Sequence, residues 1–189
     1  VNYAKALKVT QATKNSTAEA VTPNNLGDVD ADLGDLEKAR SELEKSLEIW
    51  RDLGKNFGIS SALNNLARLP LLSGNYSEAE ALCAEALEVS EVSDDLSGRG
   101  AAIHCLGLAR LRKGNAKAGN EAFNRALAIW KLQRDGLGEA QTSREMGIAY
   151  LEIGVQRLGV LYLKRAVNSY QAIRQSIRGL DESIQNAFK

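Results

Sequence analysis

The sequence predicts an all-α chain made of antiparallel helix pairs stacked in series. Three observations carry this. Ala, Leu, Glu, Lys and Arg dominate, and only 2 prolines occur in 189 residues, a composition that favours helix. Small residues, bulky residues and glycines return at a fixed spacing of forty residues along the chain. The stretch from Leu63 to Leu87 reads as two amphipathic helices joined at Ser73-Gly74-Asn75, so the repeating unit is a helical hairpin.

The period can be followed column by column. A small residue stands at Ala6, Ser46, Ala86, Ala126 and Ala166. A leucine-like partner follows it at Leu7, Leu47, Leu87, Leu127 and Val167, and a bulkier residue precedes it at Tyr3, Leu43, Cys83, Phe123 and Leu163. A second small site recurs at Ala39, Ala79, Gly119 and Gly159, and the first helices carry Leu26-Gly27, Leu66-Ala67, Leu106-Gly107 and Met146-Gly147. Gly34, Gly74, Gly114 and Gly154 fall between the helices of each pair, where a residue free to take positive φ ends the first helix. Gly58, Gly98 and Gly138 mark the entrance to later pairs. Glycine inside a helix costs roughly 1 kcal/mol against alanine. A chain that repeats that cost at Gly119 and Gly159 predicts close helix contact there, with large neighbours filling the space between helices.

Taken in order, residues 2–12 match the second helix of a pair whose first helix is absent, giving a half repeat over residues 1–13. Ser16-Thr17-Ala18-Glu19 forms a capping box opening a helix to Asp32. Pro23 lies within it, and either starts the helix late or kinks it. Leu36 to Asp52 follows, with Leu43, Leu47 and Trp50 inward, and together these make a repeat over about 16–54. Residues 57–73, with a bend expected at Pro70, pair with 75–91 to make a repeat over 57–92. Residues 97–113 with 115–133, and 137–153 with 155–174, make repeats over 97–133 and 137–174. A short terminal helix is expected over 179–188, packing Leu180, Ile184 and Phe188 on the last repeat as a polar-faced cap.

These columns resemble the tetratricopeptide repeat, whose pattern places Leu-Gly in the first helix and Ala, three residues, then an aromatic or Leu in the second. Leu66-Ala67, Tyr76, Ala79, Cys83 and Ala86 carry the likeness in one repeat, and Leu106-Gly107, Gly119, Phe123 and Ala126 in the next. The period of forty exceeds the usual length of about 34 residues, and the closing proline is missing. This long form is similar to repeats of Pins-type polarity adaptors, kinesin light chains and sensor arms of bacterial STAND regulators. The resemblance implies a right-handed superhelical solenoid whose first helices line a concave, peptide-binding face. HEAT and armadillo repeats have similar periods but lack this set of small residues.

Composition narrows the function. Lys plus Arg equals Asp plus Glu, 24 each, so no net basic excess points to nucleic acid or an anionic membrane as partner. No apolar run reaches bilayer length and no signal peptide opens the chain. Cys83 and Cys105 stand apart without CxxC spacing, which suggests reduced thiols in the cytoplasm. No catalytic arrangement is legible, and no cofactor is expected. The single histidine, His104, adjoins Cys105, but neighbours on a helix point about 100° apart and make a poor nucleophile–base pair. Cys83 falls in a core column and reads as a small hydrophobe. Asp28, Asp30, Asp32 and Asp35 superficially suggest a calcium loop, but its sixth and twelfth places are Leu33 and Ala39 instead of Gly and Glu, so no metal is expected. Trp50, Trp130 and Tyr170 keep the period and read as packing between repeats, in preference to an aromatic ligand site.

Carried over residue by residue, the concave face implied by the resemblance comprises Asn24, Asn25 and Asp28, then Asn64, Asn65, Arg68 and Leu72. It continues with His104, Leu108, Leu111 and Arg112, then Arg144, Glu145, Ile148 and Glu152. Consecutive asparagines can both donate to and accept from a peptide main chain. Charge along this face runs from acidic at Asp28 and Asp32 to basic at Arg68, Arg112 and Arg144, suiting a ligand of mixed charge. The carboxylate clamp of chaperone-tail adaptors is absent: its concave sites read Asn24, Ala101 and Cys105, and Asn65 alone fits. The expected function is a non-enzymatic protein- or peptide-binding scaffold or adaptor. The alternative is a sensor arm of a larger signalling NTPase or transcription regulator, as a chain that starts and ends in mid-repeat suggests. Weak end-to-end self-association through residues 2–12 is also expected, because their apolar face lacks a partner.

Overall fold

The computed structural model describes residues 16–187, and side chains as far as residue 179. Every regular element among them is a helix: α1 (Ser16–Asp32), α2 (Leu36–Asp52), α3 (Asn56–Ser73), α4 (Tyr76–Val92), α5 (Leu96–Arg112), α6 (Ala116–Gln133), α7 (Gly136–Glu152) and α8 (Gln156–Ala187). The half repeat and the self-association expected of residues 2–12 lie outside the described residues.

The local chemistry explains where the helices start and stop. Gly34, Gly74, Gly114 and Gly154 take φ of +83°, +81°, +92° and +82°, ending the first helix of each pair. Short polar side chains open most of the helices. Asp35, Asn75, Asp95, Asn115 and Asp135 each accept from a backbone N–H three residues on, satisfying a donor the helix cannot. Neither proline breaks its helix: α1 runs from Ser16 through Pro23, and α3 runs through Pro70 to Ser73. The late start weighed for α1 is therefore excluded.

The helices pair as α1/α2, α3/α4, α5/α6 and α7/α8. Each second helix packs on the next first helix, and successive first helices touch one another. Contacts limited to such neighbours define a repeat solenoid. The predicted columns form its core. Ala39, Leu43, Ala79, Cys83, Ala86, Phe123 and Ala126 are completely buried, and Ser46 takes the small-residue place by donating its hydroxyl to the Ala20 carbonyl at 2.7 Å. Close approach is the reason for glycine at 119: a Cβ there would lie 2.9 Å from the Gly107 carbonyl oxygen and from Leu111. Trp50 packs on Gly58, and Trp130 lies against both Gly100 and Gly138, so the tryptophan column does serve inter-repeat packing.

Two expectations need correction. The terminal helix over 179–188 is not a separate element, because α8 continues unbroken from Gln156 to Ala187. The two preceding repeats end with an αL residue followed by an aspartate cap, at Asp94-Asp95 and Arg134-Asp135; the corresponding pair is Arg174-Gln175, and glutamine is not a favoured cap. The cysteines are not separate thiols either. Cys83 of α4 and Cys105 of α5 form a disulfide, with Cα atoms 5.9 Å apart. Cysteine usage therefore gives no argument for a reducing compartment. No helix among the described residues is long and apolar enough to cross a membrane.

Candidate functional site: a groove along the first helices

The first helices α3, α5 and α7 lie side by side and their exposed edges enclose a groove of about 550 Å³. Asn64, Asn65, Arg68 and Leu72 line it from α3, His104, Leu108 and Arg112 from α5, and Gln141, Arg144 and Glu145 from α7. Trp130 reaches it from the end of α6, and Cys105 places the disulfide in its wall.

A hydrogen-bonded chain sits at its centre. The Trp130 Nε1–H, which can only donate, donates to Thr142 Oγ1 at 3.0 Å. Thr142 Oγ1 is 3.1 Å from His104 Nδ1. The threonine hydroxyl keeps a second lone pair and its own proton beside Nδ1, so the direction of that bond goes with the histidine tautomer. Burial, with the Arg144 charge adding to it, holds the His104 imidazole down at about 4, so the ring is neutral at physiological pH. Its ring stands edge-on to Phe123, with centroids 5.7 Å apart. The arrangement offers an uncharged imidazole edge to an occupant.

Nine of the predicted positions meet here: Asn64, Asn65, Arg68, Leu72, His104, Leu108, Arg112, Arg144 and Glu145. Asn24, Asn25 and Asp28 lie on α1 beyond its end, and Ile148 is on α7 outside the lining. Leu111 is fully buried and belongs to the core, which corrects its assignment to the concave face. The asparagines are partly used at home: Asn65 Nδ2 donates to Asn24 Oδ1 at 3.3 Å, and Asn64 Nδ2 to the Gly98 carbonyl at 3.4 Å. The buried Asn64 Oδ1 has no partner among the described residues, leaving an acceptor beside the groove.

The charges read as a gradient largely pair with one another. Arg68 binds Asp28 at 2.6 Å and also Asp32, Arg112 binds Glu152 through two hydrogen bonds of 2.8 and 3.2 Å, and Arg144 binds Glu145 at 2.6 Å. Residues forty apart on successive first helices face each other, so the period that builds the wall also balances its charge. The other aspartates of the supposed calcium loop are engaged too: Asp30 binds Lys38 at 2.6 Å and Asp35 caps α2. Sequence reasoning missed Thr142, Trp130 and Gln141 as lining residues. Thr142 had little signal, since its column reads Thr22, Ala62, Ala102 and Thr142. Trp130 had one reading where it has two roles, packing on glycine and closing the groove.

This geometry defines a class, a solenoid of helical hairpins with a polar groove along its first helices. Residues 18–91 match the family model described as the tetratricopeptide repeat. The match covers the first two hairpins, and the later hairpins keep the same columns; tetratricopeptide repeats generally mediate protein–protein interaction. No protein of curated function matches it. Among solved structures it is similar to BtubC (BKLC) from P. vanneervenii, at 22% identity and TM-score 0.65, over 84% of this chain and 66% of that one. It is similar to a STAND protein with a tetratricopeptide repeat sensor from Pyrococcus horikoshii, at 22% and 0.66, over 95% of this chain and 28% of that one. It also resembles putative kinesin light chain repeats from Podosopora anserina, at 16% and 0.61, over 92% of this chain and 85% of that one. The chain thus spans less than two thirds of the STAND protein and just under two thirds of BtubC. These likenesses define the fold.

Proposed function

We propose that the chain is a peptide-binding scaffold whose groove between α3, α5 and α7 holds an extended segment of a partner protein. The observation that carries it is the groove's lining. Apolar Leu72, Leu108 and Trp130 stand beside neutral donors and acceptors at Asn64, Asn65, Gln141 and His104, and the charged residues are mostly paired. A site of neutral hydrogen-bonding groups suits a main chain, which presents alternating carbonyls and amides. The mixed-charge ligand is not proposed as the main specificity, since an incoming charge would first have to displace an internal ion pair. A sensor arm of a larger signalling protein would use the same groove, and the likeness to 28% of a STAND protein with a tetratricopeptide repeat sensor fits that reading.

Peptides selected from a random library against the intact chain test the idea. Replacing Asn65 and His104 by alanine together should weaken the selected peptides about tenfold or more, the cost of unpairing two main-chain hydrogen bonds. Peptides that bind the double variant as tightly as the parent would overturn the assignment.

A further inference from the structure

We infer that the Cys83–Cys105 disulfide is a redox control on the groove: reduction by a dithiol turns the Cys105 thiol into the groove and weakens its hold on a bound segment. The inference rests on the peptide-binding reading of that groove. The chain has two cysteines, and they meet across the seam between the second and third hairpins. Cys83 is on α4 and Cys105 on α5, with Cα atoms 5.9 Å apart. The two ends of the bond have different surroundings. Cys83 is completely buried in the core, whereas Cys105 is 7% exposed and lines the groove.

The columns explain the difference. Cys83 occupies the place of Leu43, Phe123 and Leu163. Each of those three packs on a glycine of its paired first helix, Gly27, Gly107 or Gly147, so closely that an added Cβ would collide with it. The second hairpin carries Ala67 in the glycine column. A larger residue on α3 thus meets a smaller one on α4, and both are completely buried. Cys105 stands in another column, with Asn25, Asn65 and Glu145. Residues forty apart on successive first helices face each other, as Arg68 faces Asp28 and Arg112 faces Glu152. The period therefore sets Cys105 between Asn65 and Glu145, both of which line the groove, with its sulfur drawn inward by the bond to Cys83.

Reduction proceeds from the open side. A thiolate of the dithiol enters by the groove and attacks Cys105 Sγ; the bond to Cys83 breaks, and a mixed disulfide joins the reductant to Cys105. Cys83 leaves as a thiolate and is protonated. The second thiol of the reductant then attacks its own sulfur in the mixed disulfide, and Cys105 leaves and is protonated in turn. Two electrons and two protons pass from the dithiol to the protein, and the dithiol becomes a disulfide. Two thiols need more room than one bonded pair of sulfurs, and a close-packed core does not supply it. Cys83 is enclosed, so the room is found on the groove side, and the Cys105 thiol turns out between Asn65 and Glu145. There it takes space from an occupant and disturbs the Asn65 amide that holds it. Linkage makes the effect mutual: a bound segment favours the disulfide by the factor that reduction costs its affinity.

The test uses the full chain, dithiothreitol as the dithiol, and a fluorescent peptide selected from a random library against the oxidised form. Reduction should weaken the peptide about tenfold, and saturating peptide should shift the dithiothreitol equilibrium toward the oxidised chain by the same factor. Cys83→Ala leaves room behind Cys105, and in dithiothreitol it should bind the peptide as the oxidised parent does. Without any peptide, the Asn65 side-chain amide of the isotope-labelled chain should shift on reduction and return on reoxidation, with the circular dichroism unchanged. Equal affinity of both forms for a peptide that footprints the groove overturns the control and leaves the groove reading standing; a footprint elsewhere removes the groove reading. An Asn65 side-chain amide unmoved by reduction overturns the control whatever binds. Loss of helix on reduction, or a Cys83→Ala chain that binds as weakly as the reduced parent, overturns it too, since the bond then only holds the fold together.

Discussion

The third repeat and the last repeat place similar residues in the same columns and put them to different use. Leu127 and Trp130 at the end of α6 are 6% and 8% exposed, whereas Val167 and Tyr170 at the equivalent points of α8 are 53% and 36% exposed. The difference lies in the next stretch of chain. Beyond α6 the backbone turns at Arg134, is capped by Asp135 and lays α7 across these residues; beyond Tyr170 the helix runs straight on. A periodic pattern states which face a helix offers, and the neighbouring repeat decides whether that face becomes core. In a solenoid, where each unit is stabilised by its neighbours, the last described repeat shows the face that a neighbouring unit covers in the others.

The comparison can be tested with matched substitutions. The largest effect is expected at the glycines. Gly119→Val drives a branched side chain into the Gly107 carbonyl and Leu111, and should cost about 3 kcal/mol or more. Gly179→Ala, where an added Cβ meets nothing within 4 Å, should stabilise α8 by up to about 1 kcal/mol. Urea melts of the two variants would read the contrast. Next comes the leucine column: Leu127→Ala should cost about 2–4 kcal/mol through lost burial and a cavity, and Val167→Ala less than about 0.5 kcal/mol. Equal costs would mean that α8 is covered in solution.

A smaller effect concerns the groove and pH. The folded value of His104, about 4, lies below the ordinary 6.5 of an unfolded imidazole. As pH falls, the unfolded chain takes up this proton first. The contribution is therefore fully present above about pH 6.5 and is lost between there and about pH 4. Over that window the parent should lose on the order of 2 kcal/mol more stability than His104→Gln. Urea midpoints measured at both ends of the window in each protein give the difference, and parallel losses would refute a buried neutral ring.

Much of the fold was legible because each column has a local cause. Turn glycines need positive φ, and alanines or glycines need close contact; both requirements appear as residue types at fixed spacing. The Cys83–Cys105 bond was not legible, since the two residues occupy different columns of different helices and meet only because α4 packs on α5. Arg68, Arg112 and Arg144 were visible as groove residues, but their pairing was not. The period aligned Arg68 with Asp28 and Arg112 with Glu152 forty residues away, and averaging charge over the face concealed those matches. Thr142 shares its column with Thr22, Ala62 and Ala102, so residue type alone did not mark it, and its link to Trp130 and His104 needed coordinates. The continuation of α8 rested on a missing cap at Gln175, a weak signal beside the strong period.

The most direct measurement of the central claim is an amide chemical-shift footprint of a library-selected peptide on the isotope-labelled chain. Occupation of the groove predicts shifts clustered at Asn64, Asn65, His104, Gln141 and Arg144, together with the Trp130 indole N–H, while Val160 to Arg178 stays unchanged. Shifts confined to α8, or spread over the convex second helices with the Trp130 indole unmoved, would contradict it.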